Sequence, residues 1–225
     1  ISCNFTPPVG NNPALLSWDE TETMFHEFGH AIHGFFTRGR YQRVAGNLAR
    51  DMIELPSQIM ENWAAEPEVL KQYARHWQTN EPMPEELIAK LRAAYTFNQG
   101  WATTEHMAAA LLDMDWYTLD YKESVDVDKF EKEVLKKYGL IDEIMPRYRS
   151  TFFGHVFSGG YSAGYYVYTW AAVLDIDAFQ MFKQSGDLFN KEYAELFRKH
   201  ILTEGGFDEG MVQYEKFRGQ EPSVE

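Results

Sequence analysis

Apolar residues recur at helical spacing along most of the chain. Met24, Phe25, Phe28, Ile32 and Phe35 share one face, which predicts an amphipathic helix from about Glu20 to Phe36. Asp19 reads as its N-cap, with Glu22 three residues later completing a capping box. A second helix is predicted from Asp51 through Trp63, with Pro56 tolerated in its first turns. Pro67 opens a helix to about Gln78, and Pro84 another to about Gln99. A long apolar segment covers Trp101 to Tyr121. From Asp128 to Tyr138, the residues Phe130, Val134, Leu135 and Tyr138 form a stripe that stops at Gly139. Residues 186–202 repeat the pattern through Tyr193, Leu196, Phe197, His200 and Ile201. A last helix is predicted from about Asp208 to Phe217. Strand signals are confined to the first few residues. The expected fold is all-α: a multi-helix domain with a short N-terminal extended segment.

One stretch breaks the helical pattern. Residues 154–168 hold four glycines and four tyrosines. Glycines let a backbone bend or approach a ligand. Tyrosine hydroxyls can donate to a carbonyl oxygen that is becoming an anion. Aromatic core packing is the alternative reading for each tyrosine.

The first helix carries His26-Glu27-Phe28-Gly29-His30. Two histidines four apart on a helix lie on the same face, one turn apart, and can reach one tetrahedral metal ion. Glu27 can then take a proton from water at the open metal position. The pattern fixes only three positions, so chance matches occur. His33 would sit about 10 Å along the axis from His26, too far to share a small ion, and reads as a packing residue or one that supports a ligand from behind. A short loop returns the second helix alongside the first, which makes that helix the place to look for a third ligand, with Glu54 near its start. Gly29, between the two histidines, suits close approach of another backbone.

The 225 residues suffice for one good core, and a single domain over residues 1–225 is expected. Lys and Arg number 21 against 34 Asp and Glu, a net charge of −13, which argues against nucleic acid or an anionic membrane as partner. No apolar run is long enough to span a membrane. A single cysteine, Cys3, excludes an internal disulfide and fits a reducing, cytoplasmic setting. The opening Ile-Ser-Cys-Asn-Phe lacks an initiator Met and reads like the middle of a strand, so a piece of a longer chain is expected.

Three blocks taken together resemble a known family: residues 25–34, Arg50-Asp51-Met52-Ile53-Glu54-Leu55-Pro56-Ser57-Gln58, and His155 through the Gly-Gly-Tyr segment to Tyr168. The chain is similar to the C-terminal catalytic part of the thimet oligopeptidase family of zinc metallopeptidases, nearest its peptidyl-dipeptidase (Dcp) branch. Met52-Ile53 stands where the family has Phe-Val, and Asn47 where it has Thr. Neither difference changes the chemistry.

The resemblance implies a zincin-type domain with one Zn2+ per chain on His26, His30 and Glu54, and Glu27 as general base. Glu61, two turns further along the helix, is the alternative ligand, but it or Asp51 would rather hold the other N–H of a ligand imidazole. His155, Tyr161 and Tyr168 would stabilise the tetrahedral intermediate, with Tyr165 binding substrate nearby and Tyr166 packing. Arg147 and Arg149 resemble the dipeptidase branch, where a free C-terminal carboxylate must be recognised and Arg can do so bidentately. A structural ion pair is the alternative for both. The implied activity is hydrolysis of short peptides with release of C-terminal dipeptides. An oligopeptide endopeptidase and a zinc-binding module without turnover are the alternatives. An N-terminal portion of the same protein would complete the cleft.

Overall fold

The computed structural model describes residues 1–39, 41–120 and 124–223. Among the described residues ten α-helices follow one another: α1 Trp18–Phe36, α2 Leu55–Ala64, α3 Pro67–Tyr73, α4 Glu85–Tyr95, α5 Gln99–Tyr117, α6 Val127–Lys137, α7 Gly154–Phe157, α8 Val167–Ser185, α9 Lys191–Phe197 and α10 Gly210–Arg218. Among the described residues there is no strand beyond an isolated bridge between Arg75 and Pro82. The all-α expectation is borne out. No described helix is long and apolar enough to cross a membrane. The chain divides into two compact units, one of Ile1–Ala94 with Ala171–Glu225, the other of Tyr95–Trp170.

In the first unit, α1 begins two residues earlier than its sequence suggests. Ser17 is the N-cap, and Glu20 closes the capping box by accepting the Ser17 N–H at 2.8 Å. Both Ser17 and Asp19 have a Glu three residues on, so the local pattern fits either. The tertiary contact separates them. Glu20 also accepts the Thr6 N–H at 2.6 Å and the Thr6 hydroxyl at 2.7 Å, which ties down the N-terminal segment. These bonds lower the Glu20 pKa to about 2.

Helix α1 packs along α2 through Gly29. A Cβ there would lie 2.3 Å from the Pro56 carbonyl oxygen, so only glycine lets the two backbones meet. Helix α2 starts late: a tight turn at Arg50–Met52 precedes it, and Glu54 stands immediately before its first residue. Trp63 of α2 inserts edge-on between Phe179 and Phe182 of α8, with ring centroids at 4.6 and 5.0 Å, and donates to the Leu188 carbonyl at 2.9 Å. Helix α8 was hidden in the sequence, because the glycine-rich stretch before it masks where the helical period resumes. Residues 186–202 form α9 and then a π-helical turn over Arg198–Thr203 rather than one continuous α-helix. Helix α3 ends at Tyr73, short of Gln78.

In the second unit, α5 is the spine. Its Leu112 and Trp116 pack with Val134 of α6 in a buried cluster. Asn98, left-handed at φ 59°, separates α4 from α5. The predicted end of α5 at Tyr121 lies outside the described residues. Trp116 donates to the Ser150 hydroxyl at 2.9 Å, and Glu131 accepts the Ser150 N–H at 2.7 Å, fixing the segment that leads to α7.

Candidate functional site

The period of α1 sets His26 and His30 side by side, with ring centroids 4.9 Å apart and planes at 81°. Gly29 lets α2 close in, and its start delivers Glu54. That carboxylate is 1% exposed, with one oxygen 3.3 Å from His26 Nε2 and 3.2 Å from His30 Nε2. Ser57, one turn on, donates its hydroxyl to the same oxygen at 2.9 Å. The three ligand atoms lie within 4.8 Å of one another. Two imidazole nitrogens and a buried carboxylate converging on one point fit a divalent ion such as zinc. Glu27, half-buried, lies on α1 between the two histidines.

Glu61 stands behind the centre. Its carboxylate is 2.6 Å from His26 Nδ1, so it takes that N–H and turns Nε2 toward Glu54. Burial works against a charged His26 ring, but the bonds to Glu54 and Glu61 outweigh it and raise the pKa to about 9. Asp51, the other candidate for this task, lies in the turn before α2. One layer further back, Asp175 of α8 accepts from Asn62 at 2.8 Å and from Gln58 at 3.4 Å, tying α2 to α8. His33 is buried, its Nε2 without a hydrogen-bond partner among the described residues, and it is outside the group of converging ligands. Burial, and then the charge of His30, lower its pKa.

The second unit gathers the aromatic candidates. Phe153, Val156, Tyr165, Ala109 and Ala110 form a buried cluster, against which Tyr148, Tyr161 and Tyr168 pack. The Tyr161 and Tyr168 rings stack with centroids 5.7 Å apart. His155 meets both edge-on, at 6.1 and 6.2 Å. Tyr165 is only 3% exposed, and its ring belongs to the core. Tyr166 is 43% exposed, so the packing reading for it is corrected: Tyr165 fills the core and its chain neighbour points out. Arg149 is clamped by Glu131 at 2.7 Å and Asp128 at 3.0 Å, an ion pair inside the unit. Arg147 is exposed, its guanidinium 6.0 Å from the Tyr148 ring centre.

His106 joins this cluster, although the sequence reads its surroundings as plain apolar helix. It stacks on Tyr165 at 5.1 Å and meets Tyr168 edge-on at 5.7 Å. Its Nε2 is buried without a hydrogen-bond partner among the described residues. Burial lowers its pKa, and the charges of Arg147 and His155 add to the effect. No local signal singles it out, because Thr103, Thr104 and Glu105 stand immediately before it.

A histidine pair and a carboxylate on two tightly packed helices, with a glutamate between the histidines, define a candidate metal-hydrolase centre. The chain belongs to peptidase family M3, whose model matches residues 1–225. It is 45% identical over 225 residues to the dipeptidyl carboxypeptidase of Escherichia coli (strain K12), covering 99% of this chain and 33% of that protein. It is 38% identical over 232 residues to oligopeptidase A of the same strain, covering 100% of this chain and 33% of that one. To a probable cytosolic oligopeptidase A of Arabidopsis thaliana it is 40% identical over 229 residues, 99% of this chain and 33% of the relative. The chain thus spans about a third of the length of these relatives, and the family resemblance of its motifs is borne out.

Proposed function

We propose that this chain carries the metal centre and substrate-binding loop of a peptidase that removes dipeptides from the C-terminus of short peptides. The convergence of His26, His30 and Glu54 beside Glu27 carries the reading. One zinc ion held by these three residues would supply Lewis acidity at its open position. Glu61 orients His26 and fixes its tautomer.

Glu27 takes a proton from the attacking water as the new C–O bond forms at the scissile carbonyl. It then passes that proton to the leaving amine as the C–N bond breaks. His155, Tyr161 and Tyr168 donate to the carbonyl oxygen as it gains charge, each well-placed donor worth roughly 3–4 kcal/mol. The family resemblance is what assigns this role to the three residues. Tyr165 supports their rings from the core. Arg147, exposed, is the residue assigned to the substrate's free carboxylate, while the clamp on Arg149 favours the ion-pair role there.

The greater length of the relatives supports a further portion of the protein, which by the family resemblance would lie N-terminal to this one and complete the cleft. A cytoplasmic setting is supported by the single cysteine.

The second reading is an endopeptidase, favoured by the similarity to oligopeptidases. The full-length protein is given one peptide with a free C-terminus and the same peptide amidated. Dipeptides released only from the free form support the dipeptidase reading. Equal internal cleavage of both overturns it in favour of the endopeptidase. Zinc binding without cleavage of either reduces the protein to a metal-binding module.

A further inference from the structure

We propose that Asp113 is a positioning residue for the aromatic loop, locking the backbone at residues 163–165 so that Tyr161 and Tyr168 meet the substrate in one conformation. The inference rests on the peptidase reading above and assigns a task to a residue outside the reacting groups.

Asp113 is fully buried on α5, fifty residues before the loop. One carboxylate oxygen accepts the Ala163 N–H at 3.0 Å. The other accepts the N–H groups of Gly164 at 2.8 Å and Tyr165 at 2.9 Å. Three consecutive backbone donors thus converge on one side chain. Ala163 holds φ +50°, a left-handed conformation that a residue with a Cβ adopts only when something holds it there. The loop is also closed on its near side, where the Tyr161 N–H reaches the His155 carbonyl at 2.9 Å and the Ser162 hydroxyl the Val156 carbonyl at 2.8 Å.

Tyr161 lies two residues before this clamp and Tyr168 three residues after it, so the clamp sets the path between them. Burying a carboxylate is costly, and here the three N–H groups it accepts offset that cost; an apolar residue in the same space would leave them without an acceptor. The carboxylate also imposes a single geometry on a turn that Gly160 before it and Gly164 within it leave free to move. Burial raises the Asp113 pKa, and the three N–H bonds oppose that rise.

The test uses the full-length, metal-loaded protein and a peptide with a free C-terminus. Asp113→Asn puts an NH2 group against backbone N–H donors, and kcat is expected to fall about 100-fold from a misplacement of this kind, with KM changing far less and metal content unchanged. Adding Ala163→Gly, which needs no support to stay left-handed, should recover about tenfold of that loss. A merely structural carboxylate would show no such rescue. Ala163 is exposed, so Ala163→Pro tests the clamp even where the Asn variant does not fold. It removes one N–H and the positive φ, and should lower kcat about tenfold or more. Wild-type kcat in folded Asp113→Asn, absence of rescue by Ala163→Gly, or full kcat in Ala163→Pro would each overturn the proposal. A wild-type protein that cleaves no peptide would instead overturn the peptidase reading, and this inference with it.

Discussion

Glu61 shows how much a single side chain behind a proposed metal ligand can decide. Its carboxylate fixes the tautomer and direction of His26 at 2.6 Å. Glu61→Gln is expected to weaken zinc affinity by about 10–100-fold in competition with a chromogenic chelator, while Asp51→Asn leaves it unchanged. The sequence left both carboxylates open, because the choice depends on which face of α2 turns to α1. Asp175 gives a second residue-scale expectation. Burial, reinforced by the charge of Glu61 and opposed by the Asn62 bond and by His26, raises its pKa to about 7. The folded value lies above the unfolded one, so the folded state binds the extra proton between them. Stability therefore falls as pH rises from about 4 to 7, by about 1.4 kcal/mol per unit of separation at most. In metal-free protein the urea midpoint should be higher at pH 5.5 than at pH 8, and Asp175→Asn should flatten that slope. An equal slope in the variant would place the titration elsewhere.

Helix α1 was the most legible element, because its apolar period and both histidines lie within one continuous helix. Its start was misplaced by two residues, since the choice between Ser17 and Asp19 is made by Thr6, a contact distant in sequence. Ser17→Ala should lower stability by about 1 kcal/mol, measured by chemical unfolding. Gly29 was legible as a point of close approach, and the structure supplies its partner in the backbone of α2. Gly29→Ala must push Pro56 and Ser57 away and shift the neighbouring Glu54. A loss of about 1–3 kcal/mol in stability is expected, together with weaker zinc binding. An Ala variant that binds zinc as the wild type does would show that Glu54 is placed independently of this contact. The π-helical turn at Arg198–Thr203 was invisible, because its apolar residues keep the spacing of an ordinary helix.

At the scale of the molecule, the all-α fold was readable from repeated apolar stripes, and the proposed metal ligands, whose three ligand atoms the structure brings within 4.8 Å of one another, from a motif and a family resemblance. The division into two units was not, because no change of composition marks either Ala94 or Ala171. The ties that organise the second unit were equally hidden. Asp113 reaches its loop across fifty residues, and nothing near it in the sequence announces the contact. The proposed chemistry meets its most direct test at Glu27. The rate of hydrolysis of a C-terminally free peptide is measured for full-length Glu27→Gln protein, with zinc content determined on the same sample. One zinc per chain and a kcat lowered by about 10²–10⁴-fold are expected. Near-wild-type hydrolysis by that zinc-loaded variant would contradict the proposed chemistry.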